Sequence, residues 1–209
     1  MSQVFIISAP SGSGKSTLVN SLLEREPGLV FSVSYTTRAP RGQEREGREY
    51  HFVTRGEFRR MIDAGEFIEW AQVFEDYYGT HRRYVDQGRA QGRDVVLDID
   101  VQGARQLKDR IPGAVSIFIL APSREELEKR LRARGDVSEA VIRKRLAKAA
   151  AEIREFRRYD YVLVNDDLQA ASERLLMIVR TARLRAANAE VQARVRQILD
   201  TFEHEEEKL

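Results

Sequence analysis

One stretch near the start of the chain constrains its fold more than any other. Residues 4–7 form a short apolar run, and residues 9–16 (APSGSGKS) follow as a loop that contains two glycines. From residue 15 to about residue 25, apolar side chains recur at helical spacing. A strand, a glycine loop and a helix in this order predict a phosphate-binding loop (P-loop) that opens an α/β domain.

The predicted P-loop contains groups that bind a nucleoside triphosphate. Its glycines let backbone N–H groups turn inward around phosphate oxygens. Lys15 would reach the β- and γ-phosphates, and the Ser16 hydroxyl would bind Mg²⁺. The strict pattern begins with glycine where this chain has Ala9, and a chance glycine turn is the alternative. The residues expected to surround the phosphates through the loop are Ser11, Gly12, Ser13 and Gly14.

A pair of aspartates follows another predicted strand. Residues 95–97 are apolar and lead into Asp98 and Asp100. Ligands of open parallel sheets bind at the carboxyl ends of the strands, so Asp98 lies where P-loop enzymes usually hold Mg²⁺. The alternative is that both aspartates cap the helix that follows.

Residues 34–41 (SYTTRAPR) carry two guanidinium groups, Arg38 and Arg41, three residues apart. A guanidinium group matches phosphate oxygens with two parallel hydrogen bonds. Tyr50, Tyr78 and Thr80 add hydroxyl groups in the same part of the chain. These residues indicate a phosphate site, and a solvated arginine-rich loop is the alternative.

Further arginines surround residues 134–136 (RGD), which separate two arginine-rich helical stretches. This arrangement is typical of a mobile flap. Arg130, Arg134 and Arg145 would neutralise the charge that develops on a transferring phosphoryl group. The alternative is a solvated face on which glutamates of the same helix pair with these arginines.

Composition excludes several classes of protein. The 209 residues carry a net charge of only +2, which argues against a nucleic-acid binder, and the lack of cysteine excludes disulfides and cysteine-bound metals. No apolar run is long enough to cross a bilayer, and no signal peptide is visible. We expect a soluble protein of the cytoplasm with no membrane partner.

Apolar runs at residues 4–7, 95–97, 115–120 and 161–164 alternate with helical patterns, which predicts a core built on a parallel sheet. Between them, residues 33–84 mix strand-like pieces with one helix and predict a mixed α+β insertion. The expected divisions are a core of residues 1–33, 85–125 and 147–186, an insertion at 34–84, a small helical lid at 126–146 and a C-terminal helical tail at 187–209.

The tail carries an apolar stripe. Val191, Val195, Ile198 and Phe202 fall on one helical face. Docking of this face on the protein's own core is the favoured interpretation, and a contact between two copies of the chain is the alternative.

Taken together, these motifs closely resemble the guanylate kinase family. The resemblance covers about residues 3–185 and omits the tail. It implies a P-loop core, an insertion that binds the nucleoside monophosphate, and a lid. The matching stretches are residues 8–16, 34–41, 50, 67–70, 77–80, 97–103, 130–145 and 164–167.

The resemblance also implies site residues and an activity. It implies transfer of a phosphoryl group from ATP to GMP or dGMP with Mg²⁺, and Asn165 near the adenine. Thr80 and Tyr35 stand where relatives often carry other residues, but Thr80 keeps a hydroxyl. The implied guanine contacts are Ser34, Glu69, Thr80 and Asp100. The implied GMP phosphate contacts are Arg38, Arg41, Tyr50 and Tyr78. The implied ATP phosphate contacts are Gly12, Gly14, Lys15, Ser16 and Thr17.

Two other functions compete with GMP phosphorylation. Another P-loop nucleotide kinase would share the phosphate site but lack a carboxylate pair for guanine. A catalytically inactive phosphopeptide-binding module of the same fold would have a damaged P-loop, whereas Lys15, Ser16 and Asp98 are all present here. An oligomer formed through the tail helix stays open.

Overall fold

The computed structural model describes residues 2–73, 75–133 and 138–206, with side chains up to residue 201. Its strands are β1 (Val4–Ser8), β2 (Val30–Ser32), β3 (Tyr35–Thr36), β4 (His51–Phe52), β5 (Phe67–Val73), β6 (Asp76–His81), β7 (Val95–Ile99), β8 (Val115–Leu120) and β9 (Tyr161–Val164). Its α-helices are α1 (Lys15–Arg25), α2 (Arg55–Asp63), α3 (Arg83–Gln91), α4 (Val101–Arg110), α5 (Arg124–Arg132), α6 (Glu139–Ile153), α7 (Leu168–Ala182) and α8 (Ala189–Glu206), and Arg154–Arg158 is a 3₁₀ helix.

The central sheet is parallel, with five strands in the order β2-β7-β1-β8-β9. All residues of β1 are buried because helices cover both faces of the sheet. Phe5 and Ile7 pack with α1 and α7 on one face. Val4 and Ile6 pack with α3 and α4 on the other face. The predicted parallel-sheet core is confirmed.

A second, mixed sheet has the order β4-β3-β6-β5. Strand β3 pairs with β4 in parallel, whereas β6 is antiparallel to both β3 and β5. Phe58 and Met61 of α2 pack on Phe67 of β5, and the two phenylalanine rings stack with centroids 4.6 Å apart. The predicted α/β class, with a parallel core and a second mixed unit, is confirmed.

Helices α5 and α6 form a separate small apolar cluster beside the core. Leu127 and Leu131 of α5 pack against Ile142, Leu146 and Ala149 of α6. The predicted flap at residues 134–136, and Arg134 with it, lies outside the described residues. The packing therefore fixes the two helices that flank this segment relative to each other.

The tail helix α8 does not bury its predicted apolar stripe. Val195, Ile198 and Leu199 are each about half exposed, and the side chain of Phe202 lies outside the described residues. Docking of the stripe on the core is therefore wrong for Val195 and Ile198. No helix within the described ranges has the length and apolar character needed to cross a membrane.

Candidate active site

The P-loop follows β1 directly, and its backbone has the shape that anion binding needs. Gly12 and Gly14 have φ angles of 97° and 88°, a region that residues with side chains rarely adopt. Gly14 is also the N-cap of α1, so the positive end of this helix faces the loop. The loop can therefore offer backbone N–H groups and a helix dipole to a phosphate. Ser13 is buried in it, whereas Ser11, Ser16 and Thr17 are exposed.

Lys15 and Asp98 are in direct contact. Lys15 forms an ion pair with Asp98 at the end of β7. Its ammonium group also donates a hydrogen bond to the Ile99 carbonyl oxygen, 2.7 Å away. Because β1 and β7 are neighbouring parallel strands, the P-loop and Asp98 emerge at the same edge of the sheet.

Ser16 and Asp98 are the residues at this edge that could bind Mg²⁺. Within the described part of the chain, no group of three acidic or histidine side chains could hold a metal ion by itself. Mg²⁺ usually keeps several waters and takes its other ligands from one or two carboxylates and substrate phosphates. The side chains present therefore fit a metal ion that binds together with a nucleotide.

Arg130 and Asn165 both bind the backbone of the P-loop. The Asn165 amide donates a hydrogen bond to the Ser13 carbonyl oxygen at 2.9 Å, and Arg130 Nη1 lies 3.5 Å from the same oxygen. Arg130 also donates to the Asn165 carbonyl oxygen at 3.1 Å and to Glu126 at 2.8 Å. In this structure both side chains fix the shape of the loop, which sequence reasoning did not anticipate.

Arg38, which lies in the insertion, is held by a carboxylate that the sequence did not single out. Arg38 is almost fully buried and forms two hydrogen bonds with Glu44, at 2.9 and 3.0 Å. Its guanidinium carbon lies 5.3 Å from the centre of the Tyr50 ring, which is 5.9 Å from the Tyr78 ring. Burial and the nearby Asp98 charge raise the pKa of Tyr50 to about 12. Arg41 is exposed, and its backbone N–H donates to Glu44.

Glu69 is a buried carboxylate at the mixed sheet. Its side chain accepts a hydrogen bond from Thr80, with 2.5 Å between Oε1 and Oγ1. Burial is the largest influence on Glu69 and raises its pKa to about 7, although the Thr80 hydrogen bond opposes it. A Cβ atom at Gly103 would fall 2.6 Å from Glu69 Oε2, so only glycine lets α4 approach this closely. Ser34 lines the same cavity.

Asp100 caps a helix with one carboxylate oxygen and leaves the other without a partner in the described part of the chain. Its Oδ1 atom accepts a hydrogen bond from the Gly103 N–H at 2.8 Å and so caps α4. Its Oδ2 atom is buried and has no hydrogen-bond partner among the described residues. One carboxylate therefore caps the helix and still has an acceptor to offer in the cavity that contains Glu69.

Two adjoining cavities bring most of the predicted residues together. One contains Ser34, Glu69 and Asp100, and the other follows the P-loop from Ala9 to Ser16. Arg41 and Arg145 line the second cavity. The residues common to both cavities are Lys15, Tyr50, Val73, Tyr78 and Asp100. A carboxylate-lined space therefore opens directly onto a cationic space that follows the P-loop.

The P-loop cavity also contains two residues that sequence reasoning missed. Lys148 and Glu152 lie one helical turn apart on α6 and line this cavity. Burial raises the pKa of Glu152, while Lys148 lowers it. Both lie on the same face of α6 as Arg145. Plotting the α6 sequence on a helical projection could therefore have revealed them.

Comparison with known proteins gives consistent results. The guanylate kinase family model matches residues 1–182. A guanylate kinase of Koribacter versatilis is 54% identical over 203 residues, which cover 96% of this chain and 87% of the relative. One of Aromatoleum aromaticum is 54% identical over 185 residues, covering 88% and 91%. The crystal structure of guanylate kinase from Anaplasma phagocytophilum has a TM-score of 0.76 at 38% identity and covers 90% of this chain and 89% of that chain.

The match extends over both sheets, because residues 1–182 include the parallel core and the mixed sheet. Helix α8 begins after the matched residues. This chain belongs to the guanylate kinase family.

Proposed function

We propose that this protein transfers the γ-phosphoryl group of ATP to GMP, or to dGMP, and forms ADP and the nucleoside diphosphate. The observation that carries the proposal is the buried Glu69 carboxylate in a cavity that adjoins the P-loop. A buried acid that has a raised pKa and no ion pair with any described residue is costly to maintain, which is typical of a ligand site.

The donors and acceptors of guanine suit this cavity. Guanine presents N1–H and N2–H₂ side by side, and a carboxylate can accept two parallel N–H bonds. Glu69 would accept from N1–H and one N2 hydrogen, and the free Oδ2 atom of Asp100 would accept the other. Adenine has a lone pair at N1 and no donor at position 2, so both carboxylates would stay unpaired. The Ser34 hydroxyl would donate to O6, while Thr80, which donates its hydroxyl hydrogen to Glu69, would contribute to the guanine site by orienting that carboxylate.

Phosphate groups would occupy the cationic cavity. Arg38, Arg41, Tyr50 and Tyr78 would bind the GMP phosphate. The P-loop would bind the ATP phosphates through Ser11, Gly12, Ser13, Gly14, Lys15, Ser16 and Thr17, and Asn165 would lie close to the adenosine half. Mg²⁺, held by Ser16 and partly through water by Asp98, would neutralise charge on the phosphates. Because the attacking GMP oxygen is already largely ionised at neutral pH, no protein base is needed.

The parts of the chain would divide this work. Residues 34–84 would bind GMP, and the lid at 126–146 would bring Arg130, Arg134 and Arg145 over the transferring group. Residues 1–33, 85–125 and 147–186 would form the ATP-binding core. Closure of the lid would exclude water, which prevents hydrolysis of ATP.

A coupled assay of ADP release tests the proposal with GMP, dGMP, AMP, CMP and UMP as acceptors. We expect turnover with GMP and dGMP, and rejection of AMP by about 10⁴-fold or more, since AMP leaves buried acceptors unpaired. Turnover with AMP or a pyrimidine nucleotide, but not GMP, would identify another nucleotide kinase. No turnover with any acceptor would favour the inactive binding module.

A further inference from the structure

The P-loop cavity has a wall formed by Lys148 and Glu152 of α6, to which the proposed reaction gives no role so far. Lys148 Nζ lies 3.4 Å from Glu152 Oε1. The Glu152 side chain is only 13% exposed although it is charged. A carboxylate in such a place needs a cationic partner, because burial without one would be unfavourable.

The cavity lined by Lys148 and Glu152 also contains Lys15 and Asp100, which places the pair close to the proposed reaction centre. Burial raises the pKa of Glu152 most, the nearby Asp100 charge raises it further, and Lys148 and Lys15 lower it. The charges of Lys15 in the P-loop and of Asp100 therefore both act on the Glu152 carboxylate. The pair lines the P-loop cavity, which shares Lys15 and Asp100 with the cavity that contains Glu69, and the γ-phosphoryl group would pass between nucleotides where these two cavities meet.

The position of α6 is fixed by its packing. Leu146 and Ala149 of this helix pack against α5. Arg130 of α5 in turn contacts the Ser13 and Asn165 carbonyl oxygens at the P-loop. The backbone that carries Lys148 is thus tied to the loop that would hold ATP. What remains variable is the lysine side chain, which has many rotamers.

We propose that Lys148 is a further phosphate-contacting catalytic residue and that Glu152 is the positioning residue that directs it toward the P-loop. This inference rests on the proposed function. Lys148 would donate a charge-assisted hydrogen bond to a phosphate oxygen during transfer, while Glu152 limits its rotamers from one helical turn away. No covalent bond to the protein forms, and no proton has to move.

Steady-state kinetics with ATP and GMP test the two roles by a double-mutant cycle. Lys148→Met should lower kcat by about tenfold or more, as expected for one charge-assisted hydrogen bond. Glu152→Gln should lower kcat less, because Lys148 keeps its charge. Lys148→Arg should recover part of the loss. The double variant should be no slower than Lys148→Met, because Glu152 acts through the lysine.

Lys129→Met is the matched control, since Lys129 also pairs with a glutamate of its own helix but is mostly exposed. It should keep wild-type kcat. An unchanged kcat in Lys148→Met, with GMP phosphorylation by the wild type intact, would overturn the inference and leave the proposed function standing. The inference also fails if Glu152→Gln costs as much in the Lys148→Met background as in the wild type.

Calorimetry with a non-hydrolysable ATP analogue and Mg²⁺ gives a second readout that does not depend on the acceptor. Lys148→Met should bind the analogue severalfold more weakly. Its melting temperature should fall because Glu152 loses its cationic partner, so both proteins are compared at a temperature at which the variant is folded. Equal affinity in wild type and variant would contradict the phosphate contact even if GMP proved not to be the acceptor.

Discussion

Thr80 donates its hydroxyl hydrogen to the Glu69 carboxylate across the paired strands β5 and β6, with 2.5 Å between the two oxygens. Glu69 is 4% exposed, and burial raises its pKa to about 7 in spite of this bond. The hydrogen bonds from Thr80 and the charge of Arg110 do not compensate for the lost hydration of this carboxylate. The Glu69 carboxylate is therefore held at a cost in folding free energy.

The first prediction concerns the stability of Glu69→Gln. A carboxyl whose pKa is higher in the folded state than in the unfolded chain stabilises the fold below its unfolded pKa, and this contribution is lost as pH rises through about 7. At pH 8 the ionised Glu69 therefore lowers the free energy of unfolding by roughly 3 kcal/mol. Glutamine stays neutral and has no such cost. Glu69→Gln should melt several degrees higher than wild type at pH 8.

Thermal melting at pH 8 and pH 5.5 checks this expectation. The advantage of the variant should shrink at the lower pH, where the wild-type carboxyl is protonated. Glu173→Gln, at an exposed position on α7, serves as the control and should show no such dependence. A variant less stable than wild type at pH 8 would show that the Glu69 charge is compensated in the fold.

The second prediction is a pH dependence of GMP binding. Protonated Glu69 can accept fewer N–H bonds from guanine, so affinity for GMP should fall as pH drops through about 7. The GMP phosphate has its own second pKa of about 6 and adds a separate dependence. Calorimetry on Glu69→Gln should retain only the phosphate dependence, together with weak binding. Identical pH profiles for wild type and variant would remove Glu69 from base recognition.

The third prediction is that Lys15→Met removes most turnover and keeps the fold. Loss of one preorganised charge at a transferring phosphoryl group costs about 3–4 kcal/mol, or 10²–10³-fold in kcat. Lys108→Met is a matched control, because Lys108 also bridges an aspartate, Asp160, and a backbone carbonyl, but lies away from the P-loop. Its kcat should stay near wild type. Near-normal kcat in Lys15→Met would mean that the P-loop is not used for transfer.

The fourth prediction couples Gly14 to Asn165. A Cβ atom at Gly14 would meet the Asn165 amide, and the φ angle of 88° adds strain of about 1 kcal/mol or more for alanine. Gly14→Ala should destabilise the fold and weaken ATP binding. Adding Asn165→Ala should relieve the clash but not the strain, so the pair should show a favourable coupling of about 0.5 kcal/mol or more.

Gly28→Ala provides the control for this cycle, because nothing lies near its Cβ position and its φ is not positive. Denaturant unfolding of the wild type, the two single variants and the double variant measures the coupling free energy, and Gly28→Ala is measured beside them. Strict additivity of Gly14→Ala and Asn165→Ala would show that the amide moves away without cost.

Local sequence patterns predicted the P-loop, the parallel sheet and the mixed sheet because each depends on neighbours within a few residues. The contact of Asn165 with Ser13 depends on how distant segments meet. Glu44 is close to Arg38 in the chain, but their pairing depends on the conformation of an irregular loop, which no periodicity encodes. Asp100 shows a different limit. Capping and ligand binding were treated as alternatives, but one Asp100 oxygen caps α4 and the other has no partner among the described residues, so the two roles do not exclude each other.

The tail shows why an apolar stripe alone does not identify its partner. A helical face with Val195 and Ile198 was expected to dock on the core, yet both side chains are about half exposed. Amphipathic spacing predicts the helix and the face, but the surface that would cover this face must be supplied by something outside the helix.

The fifth prediction is that removal of the tail after Asn188 leaves the stability of the core unchanged. Because α8 exposes Val195, Ile198 and Leu199, its loss should shift the melting temperature by less than about 2 °C. Light scattering on the same samples measures mass. A fall in the number of chains per particle, beyond the mass of the residues removed, would assign the stripe to a contact between copies. The full chain with Val195→Ser, Ile198→Ser and Leu199→Ser separates loss of this face from loss of the helix. A large fall in melting temperature at unchanged mass would restore docking on the core as the correct interpretation.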